Sequence, residues 1–398
     1  MSRNNITVGL FGFGCVGQGL FSVLENSIGF KPEIKKICVK HKEKERNLAD
    51  KYFTFNKYEI LDDPEINVIV ELTDDFEAAF EIVKEALERG KAVVTANKKM
   101  VSEYFEEILL LQEKYKIPFL YEAACCASIP VIRNFEEYYD NDTLYSFHGI
   151  MNGTTNFILT EMRNTGKPFK TALESAQKNG YAESNPTHDI EGYDSKYKLC
   201  ILLTHAFGLT VKPDKVLNFG IQKINDFDIR FANEKKGKIK LIARAHRLKS
   251  GGIAVFVMPQ LIFENNELFT VDGVDNGIVT ENFFADKNIF IGKGAGAIPT
   301  AAAVLSDLSA LSYDYKYEYK KKMQLSNSFI NNDFFVNVYV RFNERNEAGI
   351  HQFEEVYEEY YSTDQNYITG KIRFNKLIRS EWINKESVNV ILINDKIY

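Results

Sequence analysis

The stretch ITVGLFGFGCVGQGLFSVLEN, residues 6–26, decides the fold of this chain. Its first six residues, 6–11, form a short apolar run of the kind that buried parallel strands show. The glycine turn GFGCVG, residues 12–17, follows directly, and residues 18–26 are typical of a helix. In such a turn the first glycine makes the tight bend, the second lets backbone approach a pyrophosphate, and the third lets helix pack on strand. The phosphates would then lie at the positive end of the helix.

Further alternation of strands and helices follows this opening. Strands are predicted at 34–39, 66–73, 91–96 and 118–123, and helices at 76–89 and 101–115. This order predicts an α/β fold with a doubly wound, Rossmann-type sheet. Glycine-rich turns are common, but the strand–turn–helix context favours dinucleotide binding over a plain α/β core. The cofactor contacts predicted from the turn are Gly12, Gly14, Cys15, Val16 and Gly17.

The end of the second predicted strand indicates which dinucleotide is bound. NAD-binding proteins usually place an acid about 20 residues past the glycines, on the ribose 2′-hydroxyl. This chain has Val39-Lys40-His41-Lys42 there instead. Lysines suit the 2′-phosphate of NADP, so NADP is favoured, with NAD possible; an ordinary exposed strand end is the alternative interpretation.

Length, charge and cysteine content restrict the class of protein. A chain of 398 residues is long enough for two or three domains. The net charge is −6 and no block of lysine and arginine stands out, which argues against nucleic acid as a partner. No apolar run approaches the roughly 20 residues that span a membrane, and the start lacks a signal-peptide pattern. The five cysteines show neither zinc nor disulfide spacing, so we expect a cytoplasmic protein.

Three segments beyond the opening turn carry candidate chemistry. A nicotinamide enzyme must position its substrate and move one proton. Asn97 and Lys98 follow a predicted strand, at the edge where ligands of open α/β sheets bind. Residues 148–162 predict a strand, a glycine turn and a helix whose first turn could hold a carboxylate, although Asn-Gly alone is more often only a turn. Residues 292–308 contain a second glycine turn before a helix.

The fourth candidate is GYAESNPTHDIEGYDSKYK, residues 180–198, which is rich in charge of both signs. Asp194 and Lys198 are four residues apart, hence on one face of the helix predicted after Gly192. They form either an exposed ion pair or a partly buried one. Glu183 and Asp189 lie on the preceding loop, where they would direct negative charge at a cationic group.

Six segments together resemble the homoserine dehydrogenase family, in its order and spacing, from the start of the chain to about residue 315. They are the opening glycine turn, TANKK (95–99), EAACCASIP (122–130), NGTTNFIL (152–159), GYAESNPTHDIEGYDSKYKL (180–199) and GKGAGAIPTAAAVLSDL (292–308). The resemblance implies NAD(P)-dependent interconversion of L-aspartate 4-semialdehyde and L-homoserine, in threonine, methionine and isoleucine biosynthesis.

The family's residue roles carry over by motif. Lys198 would be the general acid and base, oriented by Asp194, and Lys98 would flank the reacting oxygen. Two groups would hold the substrate: Glu183 and Asp189 at one end, Gly153 and Thr154 at the other. Besides Lys40 after the second strand, the resemblance adds cofactor contacts at Thr73, Lys98, Gly180 and Gly294.

The family also binds a monovalent cation, usually sodium. The ligands here would be Glu122 and the carbonyl groups of Cys125, Ala127 and Ile129. Ala127-Ser128 replaces the family's usual glycine pair, and fits poorly if the turn requires a positive φ. Asp74 and Asp75 also stand where the family often has glycines.

Three domains are predicted. A Rossmann domain covers 1–132, with a return helix at 298–313, and a mixed α/β domain for substrate binding and dimerisation covers 133–297. Residues 325–398 resemble a degenerate, small α+β module of the ACT type, used for packing or dimerisation or for sensing an amino acid. Within this module, a strand, a loop and an amphipathic helix are predicted in residues 333–361, and strands are predicted at 366–374 and 388–393. A homodimer or a dimer of dimers is expected.

The sequence disfavours two other classes of protein. A catalytically inactive, NADP-binding regulator need not keep Lys98, Glu183, Asp194 and Lys198 together. A bifunctional enzyme with an aspartate kinase half is disfavoured because the sequence begins at the Rossmann strand. Other amino-acid dehydrogenases with a similar nucleotide domain would lack the 180–198 motif.

Overall fold

The computed structural model describes residues 4–139, 143–325 and 328–393, and the chain divides into two compact units. The first unit contains residues 1–141, 200–213 and 293–326, and the second contains 142–199, 214–292 and 327–398.

The first unit is built on a six-stranded parallel sheet. Its strands are β1 (Thr7–Phe11), β2 (Glu33–Cys38), β3 (Phe53–Thr54), β4 (Val68–Glu71), β5 (Ala92–Thr95) and β6 (Phe119–Leu120). They lie in the order β3-β2-β1-β4-β5-β6. The order reverses between β1 and β4, which is where doubly wound sheets open a crevice for ligands. The predicted Rossmann-type fold is confirmed.

Helices surround this sheet. They are Cys15–Asn26, Tyr58–Leu61, Phe76–Glu88, Lys98–Glu103, Phe105–Tyr115, Val131–Arg133, Ala297–Leu311 and Lys320–Gln324. The return helix, Ala297–Leu311, packs against Cys15–Asn26. Glycine is required at position 19 for this contact, since a Cβ there would lie 2.6 Å from the Ala297 carbonyl oxygen.

The second unit contains a ten-stranded mixed sheet. Its strands are β7 (Leu144–Ile150), β8 (Leu217–Asn218), β9 (Lys238–Arg247), β10 (Ile253–Ile262), β11 (Asp275–Asn282), β12 (Lys287–Lys293), β13 (Phe335–Phe342), β14 (Glu355–Tyr360), β15 (Asn366–Arg373) and β16 (Asn389–Ile393). The order is β12-β11-β7-β9-β10-β16-β13-β15-β14, with β8 paired to β10. Its helices are Gly153–Thr165, Phe169–Lys178, Thr187–Ile190, the start of Tyr193–Phe207, Asp226–Glu234 and Phe374–Arg379.

The C-terminal strands belong to this same sheet. Strand β16 pairs in parallel with β10, and β13 pairs with β16. The two units therefore divide the chain differently from the three predicted domains, since residues 328–393 share a unit with 143–199. The strands predicted at 366–374 and 388–393 are confirmed as β15 and β16; residues 394–398 of the predicted module lie outside the described residues. The ACT-like character of this segment stays a prediction.

The amphipathic helix predicted in 333–361 is wrong. Residues 355–360 form strand β14, paired antiparallel with β15. The glutamates of EVYEEY suggested a helix, but valine and tyrosine favour a pleated, half-buried surface, and here a partner strand is available. Tertiary pairing overrides the local preference.

Candidate active site

The Lys198–Asp194 pair is buried at the start of helix Tyr193–Phe207. The Lys198 ammonium donates to Asp194 Oδ2 at 2.8 Å and to the Met151 carbonyl oxygen at 2.6 Å. Each side chain is only 6% exposed. The exposed surface pair, which was the alternative interpretation, is excluded. A buried pair of this kind is tolerated only when further hydrogen bonds satisfy its charges.

Asn152 supplies one of those hydrogen bonds and was not predicted as a site residue. Its Nδ2 donates to Asp194 Oδ2 at 2.9 Å and to Asp189 Oδ1 at 2.7 Å. Its Oδ1 accepts from the Thr155 backbone N–H at 2.8 Å, and so caps helix Gly153–Thr165. The asparagine immediately before the helix was the available signal for this cap. One amide thus fixes two carboxylates beside Lys198.

Of the four residues predicted to bind the substrate, three are hydrogen-bonded or closely packed and one is exposed. Asp189 lies in helix Thr187–Ile190 and joins the Asn152 network. Thr154 hydroxyl donates to the Tyr181 carbonyl oxygen at 2.5 Å, which ties the helix to the 180–198 loop. Gly153 could carry no side chain, because a Cβ there would lie 2.6 Å from the Val274 carbonyl oxygen. Glu183 is exposed on the loop, outside the hydrogen-bonded network of the other residues.

The glycine turn of the first unit has the geometry that a dinucleotide requires. Gly12 has φ +92°, and a Cβ there would lie 2.6 Å from the Leu72 carbonyl oxygen. At Gly17 a Cβ would lie 2.7 Å from the Gly12 carbonyl oxygen, whereas at Gly14 nothing lies within 4 Å. Cys15 and Val16 open the helix, where backbone N–H groups lack intrahelical acceptors. A side chain would therefore clash with backbone at Gly12 and Gly17, whereas the space beside Gly14 is free for a pyrophosphate.

A buried carboxylate organises the sheet edge next to this turn. Glu71, at the end of β4, accepts hydrogen bonds from the Thr73 backbone N–H and hydroxyl, each at 2.6 Å, and from the Thr95 hydroxyl at 2.7 Å. Burial raises the pKa of Glu71. Asn97 donates to the Thr73 carbonyl oxygen at 3.1 Å and caps the helix that Lys98 begins. Glu71, which sequence reasoning missed, thus holds the loops after β4 and β5, and with them Thr73 and Lys98.

Lys40 and Asp75 form an ion pair at the same edge. Lys40 Nζ lies 3.1 Å from Asp75 Oδ2, and Asp75 Oδ1 accepts from the Ala78 backbone N–H at 3.0 Å. Asp75 therefore caps helix Phe76–Glu88, which accounts for an acid in place of the family's glycine. Lys42 lies over the Phe55 ring at 5.0 Å. Nothing in the structure explains Asp74, which is exposed.

Gly180 and Gly294 both lie next to helix ends. Gly180 has φ +74° and follows helix Phe169–Lys178. Gly294 is buried and precedes helix Ala297–Leu311. Their proposed contact with cofactor stays a prediction.

The turn that is predicted to bind a cation contains two residues with positive φ. Cys126 and Ala127 adopt φ values of +55° and +40°, a region that favours glycine. The Glu122 carboxylate is committed to the backbone N–H groups of Ile132 at 2.9 Å and Arg133 at 3.0 Å. Burial, followed by repulsion from Asp307, raises the pKa of Glu122 to about 8, although those two hydrogen bonds favour its charged form. The Ile129 carbonyl oxygen accepts from the Val131 N–H at 2.8 Å. Among the residues described, no group of three or more His, Cys, Asp or Glu side chains could hold a metal ion.

Ala127→Gly is expected to raise the free energy of unfolding by about 0.5–1 kcal/mol, because glycine relieves the left-handed strain at some entropic cost. Chemical unfolding would measure the change. The matched control is Ala124→Gly, another buried alanine in the same segment but without a positive φ, which should be destabilising. Equal destabilisation by both substitutions would contradict the interpretation of strain.

The helices of the described residues include none that is both long and apolar enough to cross a membrane.

Comparisons with known proteins agree on one family. The family model for homoserine dehydrogenase matches residues 130–309, and the model for its NAD-binding domain matches residues 12–122. Homoserine dehydrogenase from Neisseria gonorrhoeae is 38% identical over 76% of this chain and 71% of its own length. The Bacillus subtilis enzyme is 32% identical over 86% of this chain and 82% of its own length.

Solved structures give the same result. The crystal structure of a homoserine dehydrogenase from Thiobacillus denitrificans matches with a TM-score of 0.88 and 30% identity, over 99% of this chain and 100% of that chain. A hyperthermophilic archaeal homoserine dehydrogenase mutant in complex with NADPH matches with a TM-score of 0.68 and 26% identity, over 79% of this chain and 100% of that chain.

Proposed function

The chain belongs to the homoserine dehydrogenase family, and we propose that Lys198 is the general acid and base of its reaction, the NAD(P)-dependent interconversion of L-aspartate 4-semialdehyde and L-homoserine. The nicotinamide cofactor supplies or accepts the hydride at the substrate carbon. What remains for the protein is to hold the substrate and to move one proton.

The observation that carries this proposal is the buried Lys198–Asp194 pair with Asn152 beside it. In the reductive direction the Lys198 ammonium polarises the aldehyde oxygen and donates a proton to it as the alcohol forms. In the oxidative direction neutral Lys198 accepts the hydroxyl proton. Asp194 and the Met151 carbonyl oxygen fix the position of Nζ, and Asn152 fixes Asp194.

The substrate is a small amino acid, and its two ends require opposite partners. Asp189, held by Asn152, is proposed to bind the substrate ammonium group, together with Glu183 from the neighbouring loop. Gly153 and Thr154 open a helix, where backbone N–H groups favour a carboxylate. Lys98 is proposed to assist at the reacting oxygen.

Three further properties are proposed. NADP preference is supported by Lys40 after β2. A monovalent cation, sodium by family resemblance, would bind mainly through backbone oxygens near Cys125, Ala127 and Ile129, because the Glu122 carboxylate is engaged elsewhere. A cytoplasmic location is proposed from the cysteine pattern.

A homodimer, or a dimer of dimers, is supported by the edge of the ten-stranded sheet. Strand β12 lies at this edge and exposes Ile289 and Ile291, and Phe283 and Phe284 are exposed just before it. Exposed apolar edge strands favour pairing with another chain.

Oxidation of L-homoserine by the purified protein, with NADP and NAD compared, tests the proposal. The rate is expected to rise from neutral to alkaline pH, because the Lys198 ammonium must lose its proton before it can act as the base. Reduction needs the protonated lysine and should not rise in the same range. A flat oxidation profile would contradict the role of Lys198. A folded protein that binds NADP without any turnover would instead support the regulator interpretation.

A further inference from the structure

The ion pair between Lys40 and Asp75 joins the loops that follow the two strands on either side of β1. Lys40 follows β2 and Asp75 follows β4, and both strands pair directly with β1. The carboxyl ends of parallel strands meet at one edge, so a contact between these two loops passes beside the glycine turn that follows β1. That is the place where a doubly wound sheet binds a dinucleotide.

The pair is exposed and can open at little cost. The Lys40 and Asp75 side chains are 60% and 44% exposed. Ion pairs of such exposure contribute little to stability and are screened by salt. Lys40 can therefore exchange Asp75 for another anion.

Asp75 itself is held in place. Its Oδ1 accepts from the Ala78 backbone N–H at 3.0 Å, while Oδ2 faces Lys40. The hydrogen bond from Ala78, then the contact with Lys40, lowers the pKa of Asp75. The carboxylate thus stays negative and positioned when a cofactor approaches.

We propose that Asp75 sets the cofactor preference by competing with the 2′-phosphate of NADP for Lys40. This inference rests on the proposed role of Lys40. A 2′-phosphate that reaches Lys40 must displace Asp75 and then lies close to a second anion, which weakens NADP binding. The 2′-hydroxyl of NAD is neutral and can donate a hydrogen bond to a carboxylate, so NAD binding does not suffer this repulsion.

Asp75→Asn separates the charge of this residue from its structural role, because asparagine caps helices as well as aspartate does. Dissociation constants for NADPH and NADH would be measured on the full-length protein without substrate, from the fluorescence of the reduced nicotinamide. Removal of one nearby negative charge should tighten NADPH binding about 3–10-fold and change NADH binding by less than about twofold.

The matched control is Asp62→Asn. Asp62 pairs with Arg89 at 2.9 Å, with side chains 59% and 31% exposed, and it precedes β4 instead of following it. This substitution makes the same change in net charge at the other edge of the sheet. Both dissociation constants should remain as in the unmodified protein.

The variant Lys40→Met tests whether Lys40 binds the 2′-phosphate, separately from whether Asp75 competes for it. If Lys40 binds the 2′-phosphate, Lys40→Met should weaken NADPH binding about 10-fold or more and leave NADH binding unchanged. No effect of Lys40→Met would overturn the assignment of Lys40, and with it the competition. A selective effect of Lys40→Met, with an NADPH-to-NADH ratio unchanged in Asp75→Asn, would overturn the role of Asp75 alone.

Discussion

Lys198→Met is expected to lower kcat for homoserine oxidation by about 10²–10⁴-fold, the contribution of a positioned acid or base. The geometry that supports this expectation is the buried ammonium, held at 2.8 Å from Asp194 and 2.6 Å from the Met151 carbonyl oxygen. Methionine has a similar length but cannot carry the proton. Initial rates with saturating L-homoserine and cofactor would measure the loss.

Loss of activity in this variant could also come from loss of structure, because Asp194 would stay buried without its cation. Lys198→Arg avoids this problem: it keeps the positive charge, but a guanidinium stays protonated in proteins and so cannot act as the base. It should therefore lose oxidation while cofactor binding and melting temperature stay close to those of the unmodified protein.

Lys196→Met provides a matched control on the same helix. Lys196 is also a buried lysine, and its ammonium lies over the Tyr193 ring at 4.6 Å. It is two residues from both Asp194 and Lys198, a spacing that places it on a different face of the helix. Its kcat should fall by less than about tenfold. Retention of most of the activity in both Lys198 variants would remove Lys198 from the mechanism.

The first unit could be predicted from the sequence because its signals are local. Short apolar strands, a glycine turn and helices follow one another, and parallel crossovers leave few ways to arrange them. The ten-stranded sheet has no such signal. Strand β16 pairs with β10 although more than 120 residues separate them. Pairings of this range depend on which strand edges remain available. For the same reason, residues 355–360 form β14 where an amphipathic helix within 333–361 was expected.

The candidate site likewise contains contacts that local sequence predicts and contacts that it does not. The four-residue spacing of Asp194 and Lys198 places both on one helix face, so their contact follows from helix geometry. Asn152 and Glu71 were missed because an amide beside a glycine and an acid at a strand end are both common at turns. Their roles depend on partners distant in sequence, Asp189 and Asp194 for Asn152 and Thr95 for Glu71.

Arg341→Met is expected to lower the free energy of unfolding of the second unit by about 3–5 kcal/mol, the cost of breaking a buried ion pair. Asp228 is fully buried and accepts from Arg341 Nε at 2.9 Å, from the Tyr339 hydroxyl at 2.9 Å and from Asn389 Nδ2 at 2.8 Å. Burial raises the pKa of Asp228, and Arg341 opposes that rise. Without Arg341 the carboxylate must either remain charged without a cation or take up a proton. Chemical unfolding of the full-length protein would measure the change.

Two comparisons decide whether this buried network, and not charge in general, joins the C-terminal strands to the rest of their unit. Arg373→Met breaks the exposed pair with Asp333, 2.9 Å away, and should cost less than about 1 kcal/mol. Adding Asp228→Asn to Arg341→Met should recover part of the loss, because a neutral amide no longer needs a cation.

Since Asp228 lies on helix Asp226–Glu234 and its partners lie on β13 and β16, loss of Arg341 should lower the stability of both segments in one transition. A separate, early transition confined to residues 328–393 would instead show that the C-terminal segment folds independently, as the three-domain prediction requires.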